Sequence, residues 1–272
     1  MAAVRVATYN ILHGMTLDNA ATDPQRLADA AAATEAHVLG LQEVDVDQAR
    51  SGEVDQTAVV SRALGARWHA FVPALYGTPG LERSWQPATS LDGAYATNWS
   101  ANGGPRPRYG IALVSRLPVV RWAVKRFNGV RIRLPLAAPG EGGWRFMLVP
   151  DEPRIALAAV VEGPSGPFTV VTTHLSFVPG VNAAQLRAIA GWAEPMPGPM
   201  ILLGDLNLPG TVPARLTGWE PLVTTETYPS PAPRVQLDHV LGRRLPADAK
   251  LGEHVWLGPV SDHRATGVDL NL

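Results

Sequence analysis

The chain contains no cysteine, and only two lysines, Lys125 and Lys250, among its 272 residues. Without a thiol there is no disulfide scaffold, no thiolate metal site and no cysteine nucleophile. Charged residues make up only 17% of the chain, and 23 basic residues nearly cancel 24 acidic ones, for a formal net charge of −1. A protein that coats nucleic acid through lysine and arginine contacts to phosphate carries a basic excess, which is missing here. No apolar run approaches the ~18 residues of a membrane span. The first residues, Met1-Ala2-Ala3-Val4-Arg5-Val6-Ala7, enter a strand-like alternation without a basic-then-apolar leader, so a cytoplasmic protein is expected. One scarcity is local. From Gly93 to Gly140 there is no acidic residue, while the stretch holds seven arginines and Lys125. Arginine-rich composition explains this blandly; a phosphate-facing surface is the alternative, because guanidinium forks match phosphate oxygens.

What is plentiful is glycine and proline, 26 and 25 residues, without a repeating period. That excess implies many turns, and a hydrophobic content of 46% is too high for disorder. Val4 to Leu12 reads as a buried strand. Asp23-Pro24 supplies an N-cap and an N1 proline for a helix to about Ala36. A short strand, Val38 to Leu41, ends at Gln42-Glu43, and a helix from about Asp55 to Leu64 is stopped by Gly65. After a strand at Trp68 to Pro73, a loop from Leu75 to Pro107 carries Tyr76, Trp85, Tyr95 and Trp99 and is expected either to pack on the body or to act as a lid. Strands are expected at Tyr109–Ser115, Val119–Phe127, Arg145–Leu148, Arg154–Val161 and Phe168–His174, then a helix from Asn182 to Trp192. Further strands fall at Met200–Leu203, Gln236–Leu241, His254–Trp256 and His263–Leu270. No linker or repeat divides the chain, so residues 1–272 are read as one domain of packed sheets with helices outside.

The informative polar residues sit at the ends of apolar strands, where side chains can converge. Asn10 follows Val4–Tyr9, Glu43 follows Val38–Leu41, and His174 closes Val170-Val171-Thr172-Thr173. Asp205 and Asn207 follow Met200–Leu203, Asp238 lies in Gln236-Leu237-Asp238-His239-Val240, and Asp262-His263 precede the last strand. Singly, a strand-end Asp or Asn is more often a turn former than a catalyst, and a lone His is usually a hydrogen-bonded structural group. Six such sites with complementary chemistry weaken that account.

The segments Thr8-Tyr9-Asn10, Leu41-Gln42-Glu43-Val44-Asp45, Tyr109-Gly110-Ile111-Ala112-Leu113-Val114-Ser115-Arg116 and Thr172-Thr173-His174-Leu175 form the first half of a motif series. Gly204-Asp205-Leu206-Asn207, Leu237-Asp238-His239-Val240 and Ser261-Asp262-His263 complete it. In this order the series resembles the endonuclease/exonuclease/phosphatase superfamily of metal-dependent phosphoesterases. The resemblance implies an α+β fold, a four-layer αββα sandwich of two mainly antiparallel sheets with helices outside and the site at one edge of the sheets. It also implies that Glu43 is the main ligand of a Mg²⁺ or Mn²⁺ ion, helped by Asn10 and Asp262, since hard divalent ions take oxygen ligands. His263 would be the general base or a charged phosphate contact, with Asp238 holding its imidazole. Asp205 would orient or deprotonate the attacking water, Asn207 would donate to a phosphoryl oxygen, and His174 would contact the phosphate. Several branches carry a Glu immediately before the glycine that opens the Gly110 strand, pairing with the first His; here Tyr109 stands in that place.

Weaker claims to the substrate belong to Arg50, Tyr109 and Arg154, and to the Arg106/Arg108 pair. For Arg50 the competing account is a loop whose Asp55 caps the next helix. His13 is expected to border the pocket, whereas His37, His69 and His254 look structural, and His239 should face away from Asp238. The expected partner is a phosphate-ester substrate, with a small or lipid-derived phosphodiester preferred to nucleic acid. A nuclease on the same site and a catalytically inactive binding module are the alternatives.

Overall fold

The computed structural model describes residues 3–18, 21–79, 85–92, 94–97, 99–100, 106–130, 132–140 and 143–272. Strands of the first half are β1 (Val4–Asn10), β2 (Val38–Val46), β3 (Trp68–Gly77), β4 (Trp85–Pro87), β5 (Tyr95–Ala96), β6 (Trp99–Ser100), β7 (Arg108–Ser115), β8 (Val119–Phe127) and β9 (Arg133–Gly140). Those of the second half are β10 (Gly143–Pro150), β11 (Arg154–Gly163), β12 (Gly166–His174), β13 (Met200–Asp205), β14 (Glu220–Pro221), β15 (Asp238–Arg243), β16 (Lys250–Trp256) and β17 (Ala265–Leu270). The α-helices among the described residues are α1 (Pro24–Ala33), α2 (Gln56–Leu64), α3 (Val181–Ala193) and α4 (Val212–Thr217).

One sheet runs β16-β17-β1-β2-β7-β3-β5-β6, with β4 also on β3; the other runs β14-β15-β13-β12-β11-β8. Among the described residues, only β1–β2 and β12–β13 pair in parallel. Strand alternation explains the layers. Val4, Val6, Val38 and Leu113 of the first sheet meet Leu157, Val170, Ile201 and Val240 of the second in the central core. The opposite face of the first sheet, Tyr9, Leu39 and Leu41, packs on Leu27 and Ala31 of α1 and Val60 of α2. The outer face of the second, Ala158, Val171 and Leu202, packs on Leu186 and Ile189 of α3. Fully burying one such Leu or Ile contributes about 1.5–3 kcal/mol. The expected αββα sandwich is therefore present.

Local signals mostly set the element ends. Asp23 accepts hydrogen bonds from the backbone N–H of Gln25 and Arg26, with Pro24 in the first turn; Asp55 likewise caps α2, and Gly65 ends it at φ 62°. α1 stops at Ala33, three residues before the expected Ala36, because Glu35 adopts φ 50°. β2 runs on to Val46, past the expected end, through a bulge: Leu41 faces Ala112 and Val44 faces Gly110, so Gln42 and Glu43 together stand opposite Ile111. The strand at Arg145–Leu148 is β10, and its partner β9, unforeseen, makes a separate hairpin with it. α4 and β14 were also unforeseen.

In the long loop, β3 extends to Gly77, and Tyr95 packs on Phe71 with ring centroids 5.6 Å apart and donates its hydroxyl to Asp55. Residues 80–84, 93, 98 and 101–105 of this loop, and the side chain of Trp99, lie outside the described residues. No helix among the described residues is long and apolar enough to cross a membrane.

Candidate active site

The strand ends meet at one edge of the sandwich. In the second sheet His174 pairs in register with Asp205, and Asp205 with Asp238, so the last residues of β12 and β13 and the first of β15 form a row. Gly204 makes this possible. It sits at φ 144°, and a Cβ there would collide with the carbonyl of Thr173 on the neighbouring strand. From the first sheet come Asn10, at the end of β1, and Glu43, which the β2 bulge and its own φ of 58° turn out of the ladder. Asp262 and His263 lie in the turn before β17, held because Ser261 donates its hydroxyl to Asn10 O at 2.6 Å and accepts from the His263 N–H at 3.1 Å.

Asp205 is the hub. Its Oδ2 accepts from Asn10 Nδ2 at 3.0 Å and lies 3.5 Å from His174 Nε2 and 3.7 Å from His263 Nε2; its Oδ1 accepts the Asn207 N–H at 3.0 Å. His263 is oriented from behind, with Nδ1 2.8 Å from Asp238 Oδ2, which also accepts the Thr227 hydroxyl at 2.6 Å. Two orientations differ from simple ligand roles. Asn10 turns its amide N–H groups to Glu43 Oε1 (3.1 Å) and Asp205, while its oxygen accepts from the Leu12 N–H at 3.1 Å. Asn10 thus bridges the two carboxylates, and its oxygen keeps a second lone pair. Asn207 spends one amide N–H on Leu175 O at 3.0 Å.

Burial and charge set the protonation states. Burial alone would lower His263, but Asp238 and Asp205 outweigh it and raise the imidazole to about 10. Burial raises Asp205 to about 6, against the pull of His263. His174 moves the other way, well below the ordinary imidazole value, because it is buried beside Arg154 and His263. Burial first, and then the charge of Asp262, push Glu43 up to about 7.

These groups open on a cavity of about 580 Å³, which is also lined by His13, Arg50, Tyr109, Glu152, Arg154, Phe177 and Tyr228. A larger cavity, about 710 Å³ beside β8, is lined by no acid or imidazole and has no comparable chemistry. Arg50 stands on the wall with Nε and Nη2 each 2.8 Å from Asp45, and its guanidinium lies 5.6 Å from the Tyr109 ring centroid. His13 borders the cavity as expected. His37 accepts from the Arg5 N–H and His254 contacts Asp269, both away from the cavity lining, and His239 contacts Leu208 O on the other side of its strand. In the acid-free stretch Arg108 contacts Asp47, and Arg126 donates to the carbonyls of Pro73 and Ala88, so both are used in holding the fold. The sequence reading missed Glu152, Phe177 and Tyr228. The Tyr228 ring lies 4.9 Å from that of His263. The one available signal was Asp151-Glu152-Pro153, an acidic pair just before a strand.

The donor set fits a hard divalent cation. Glu43 and Asp262 face one cavity, and Asp262 Oδ1 is buried without a partner among the described residues. Two facing carboxylates with spare oxygens are completed by such an ion. Asp205, Asp238 and His263 also bring donor atoms within 4.8 Å of one another. There, however, the His263–Asp238 hydrogen bond already occupies two of the donors, which suits proton handling better than ligation.

A cavity lined by buried carboxylates and two imidazoles, at the edge of an αββα sandwich, fits the class of phosphoester hydrolases. The sequence profile of the Endonuclease/Exonuclease/phosphatase family matches residues 7–263, and the chain belongs to that family. No curated protein matches the sequence. Among solved structures, the chain is similar to an endonuclease/exonuclease/phosphatase from Beutenbergia cavernae, at 22% identity and TM-score 0.65, covering all of this chain and 72% of that one. It is also similar to sphingomyelinase C from Streptomyces griseocarneus, at 17% identity and TM-score 0.57 over the whole of both chains. A third likeness is the human Nocturnin catalytic domain, crystallised with a sulfate anion, at 18% identity and TM-score 0.56, covering 99% of this chain and 94% of that one.

Proposed function

We propose that this family member is a Mg²⁺- or Mn²⁺-dependent phosphodiesterase that hydrolyses a small or lipid-derived phosphodiester by in-line attack of water. The observation that carries this reading is the convergence of His174, His263 and Asn10 on Asp205, within 3.0–3.7 Å, at the floor of one cavity. Glu43 and Asp262 would hold the cation, with Asn10 aligning Glu43. When bound, the cation supplies Lewis-acid stabilisation of charge on the phosphoryl group.

The chain's own residues do the rest. Asp205 is the better proton acceptor for the attacking water, because His263 is already an imidazolium at neutral pH. His263, steadied by Asp238, then serves as a charged contact for the developing phosphorane oxygens. Of the two roles open to His263 in the sequence, the charged one is favoured. His174, neutral, donates a hydrogen bond to the phosphate, and the remaining Asn207 amide N–H does the same. Phe177 and Tyr228 give the cavity an aromatic wall, which supports a compact substrate.

The test uses bis(p-nitrophenyl) phosphate with Mg²⁺, Mn²⁺ or EDTA. Asp205→Asn should lower kcat about 10²–10⁴-fold with the fold intact, as for loss of a general base. Unchanged turnover in that variant, or turnover in EDTA equal to that in Mg²⁺, would overturn the reading. A panel of glycerophosphodiesters, sphingomyelin and plasmid DNA then separates the small-substrate reading from a nuclease.

A further inference from the structure

Arg154 is an anomaly on the cavity wall. Only 5% of the residue is exposed, yet none of its guanidinium N–H groups has a hydrogen-bond or ion-pair partner among the described residues, and its Nε is fully enclosed. Its guanidinium carbon lies 6.0 Å from the centroid of the Phe177 ring, and its charge acts on Glu152 and His174. A buried cation whose N–H groups stay unbonded is unfavourable even with Glu152 in its field, so an anion that accepts from them is the natural ligand. The other guanidinium on the wall does not share this state. Arg50 is matched by Asp45 through two parallel hydrogen bonds of 2.8 Å. Arg154 is thus the wall cation whose N–H groups are left over for a substrate.

Charge bookkeeping then limits what that substrate carries. Four carboxylates face the cavity: Glu43, Glu152, Asp205 and Asp262. A divalent ion at Glu43 and Asp262 would offset that pair. Glu152 remains. It lines the cavity beside both arginines without an ion pair to either, and its field opposes added negative charge. The geometry points to a charge-selecting subsite: Arg154 receives a non-bridging oxygen of the substrate phosphate, and Glu152 restricts the site to a phosphate with one negative charge, a diester in preference to a monoester. This deepens the phosphodiesterase reading and rests on it. It also accounts for the departure at Tyr109, since a fixed cation beside His174 makes a carboxylate-supported imidazolium unnecessary.

The decisive experiment has a binding arm and a turnover arm. In the first, the protein in EDTA is melted with dimethyl phosphate, a monoanion, or with inorganic phosphate at pH 8. Dimethyl phosphate should raise the wild-type Tm more than inorganic phosphate does. Arg154→Met should melt at or above the wild-type temperature without ligand, since a buried cation that makes no hydrogen bond has gone, and should lose the protection. Arg154→Lys keeps the charge and should keep part of it. Glu152→Gln should gain protection by inorganic phosphate.

In the second arm, Arg154→Met should lower kcat/KM for bis(p-nitrophenyl) phosphate about 10²-fold, the size of one lost oxyanion donor. Glu152→Gln should move the ratio of kcat/KM for p-nitrophenyl phosphate over the diester upward about tenfold. An Arg154→Met protein that melts lower yet still binds dimethyl phosphate would make Arg154 structural and overturn the proposal. So would a Glu152→Gln protein with an unchanged ratio and unchanged phosphate protection. If the wild type cleaves neither ester, the parent reading falls, while the binding arm still decides this one.

Discussion

Two histidine–aspartate pairs of the same length stand at different places in this protein. His263 Nδ1 and Asp238 Oδ2 are 2.8 Å apart in the active site, with side chains 8% and 0% exposed; His254 Nε2 and Asp269 Oδ2 are 2.8 Å apart on β16 and β17, at 32% and 21%. The buried pair expresses itself in the base: Asp238 and Asp205 together overcome burial and raise His263 to about 10. The surface pair expresses itself in the acid: the Arg5 hydrogen bond, then His254, lower Asp269 to about 2. One distance thus serves two purposes. Away from water the pair holds a proton on the imidazole; near water, with Arg5 added, it links β1, β16 and β17.

Asp238→Asn breaks the buried pair and has the largest expected effect. Turnover of bis(p-nitrophenyl) phosphate should fall about 10²–10⁴-fold, and urea denaturation at pH 6 should show a loss of about 3 kcal/mol. The sign follows from the raised folded value of His263. The contribution is complete below the unfolded value of about 6.5 and is lost as pH rises through about 10, so the difference between wild type and variant should shrink along that range. A difference constant to pH 10 would refute the charged state of His263.

Asp269→Asn is the milder counterpart, costing about 0.5–1 kcal/mol because solvent screens the group, with no change in turnover. Here the folded value is depressed. The contribution is present above the unfolded value of about 3.9 and is lost as pH falls through about 2, so acid melts should converge there. The smallest effect is that of salt. Added 1 M NaCl, where the screening length is about 3 Å, should diminish the Asp269→Asn difference and leave that of Asp238→Asn nearly unchanged.

The strand-end residues were legible in the sequence because a site built at a sheet edge must interrupt apolar runs, and Asn10, Glu43, His174, Asp205 and Asp262-His263 do so. The helix caps at Asp23 and Asp55 were legible for a similar reason, each being a local hydrogen bond. Other features were not local. Glu152, Phe177 and Tyr228 stand in connecting segments, and only the packing of those segments brings them to the cavity. The β9 strand was hidden by Pro135 and Pro139, which read as breaks. The protonation of His263 needed three dimensions, since Asp205 and Asp238 reach it from other strands.

The bulge in β2 has one more consequence. Leu41 and Val44 both face the helices α1 and α2, while Gln42, between them, faces inward and donates to the Thr172 hydroxyl at 3.0 Å, with its own oxygen accepting from Thr8 at 3.1 Å. Glu43 is the supernumerary residue of the ladder, the one the sheet has no use for. A chain shortened by that single residue could close β2 onto β7 without a fault and keep every apolar contact in phase. The bulge therefore serves the cavity and not the ladder: it brings the Glu43 carboxylate within 3.1 Å of the Asn10 amide.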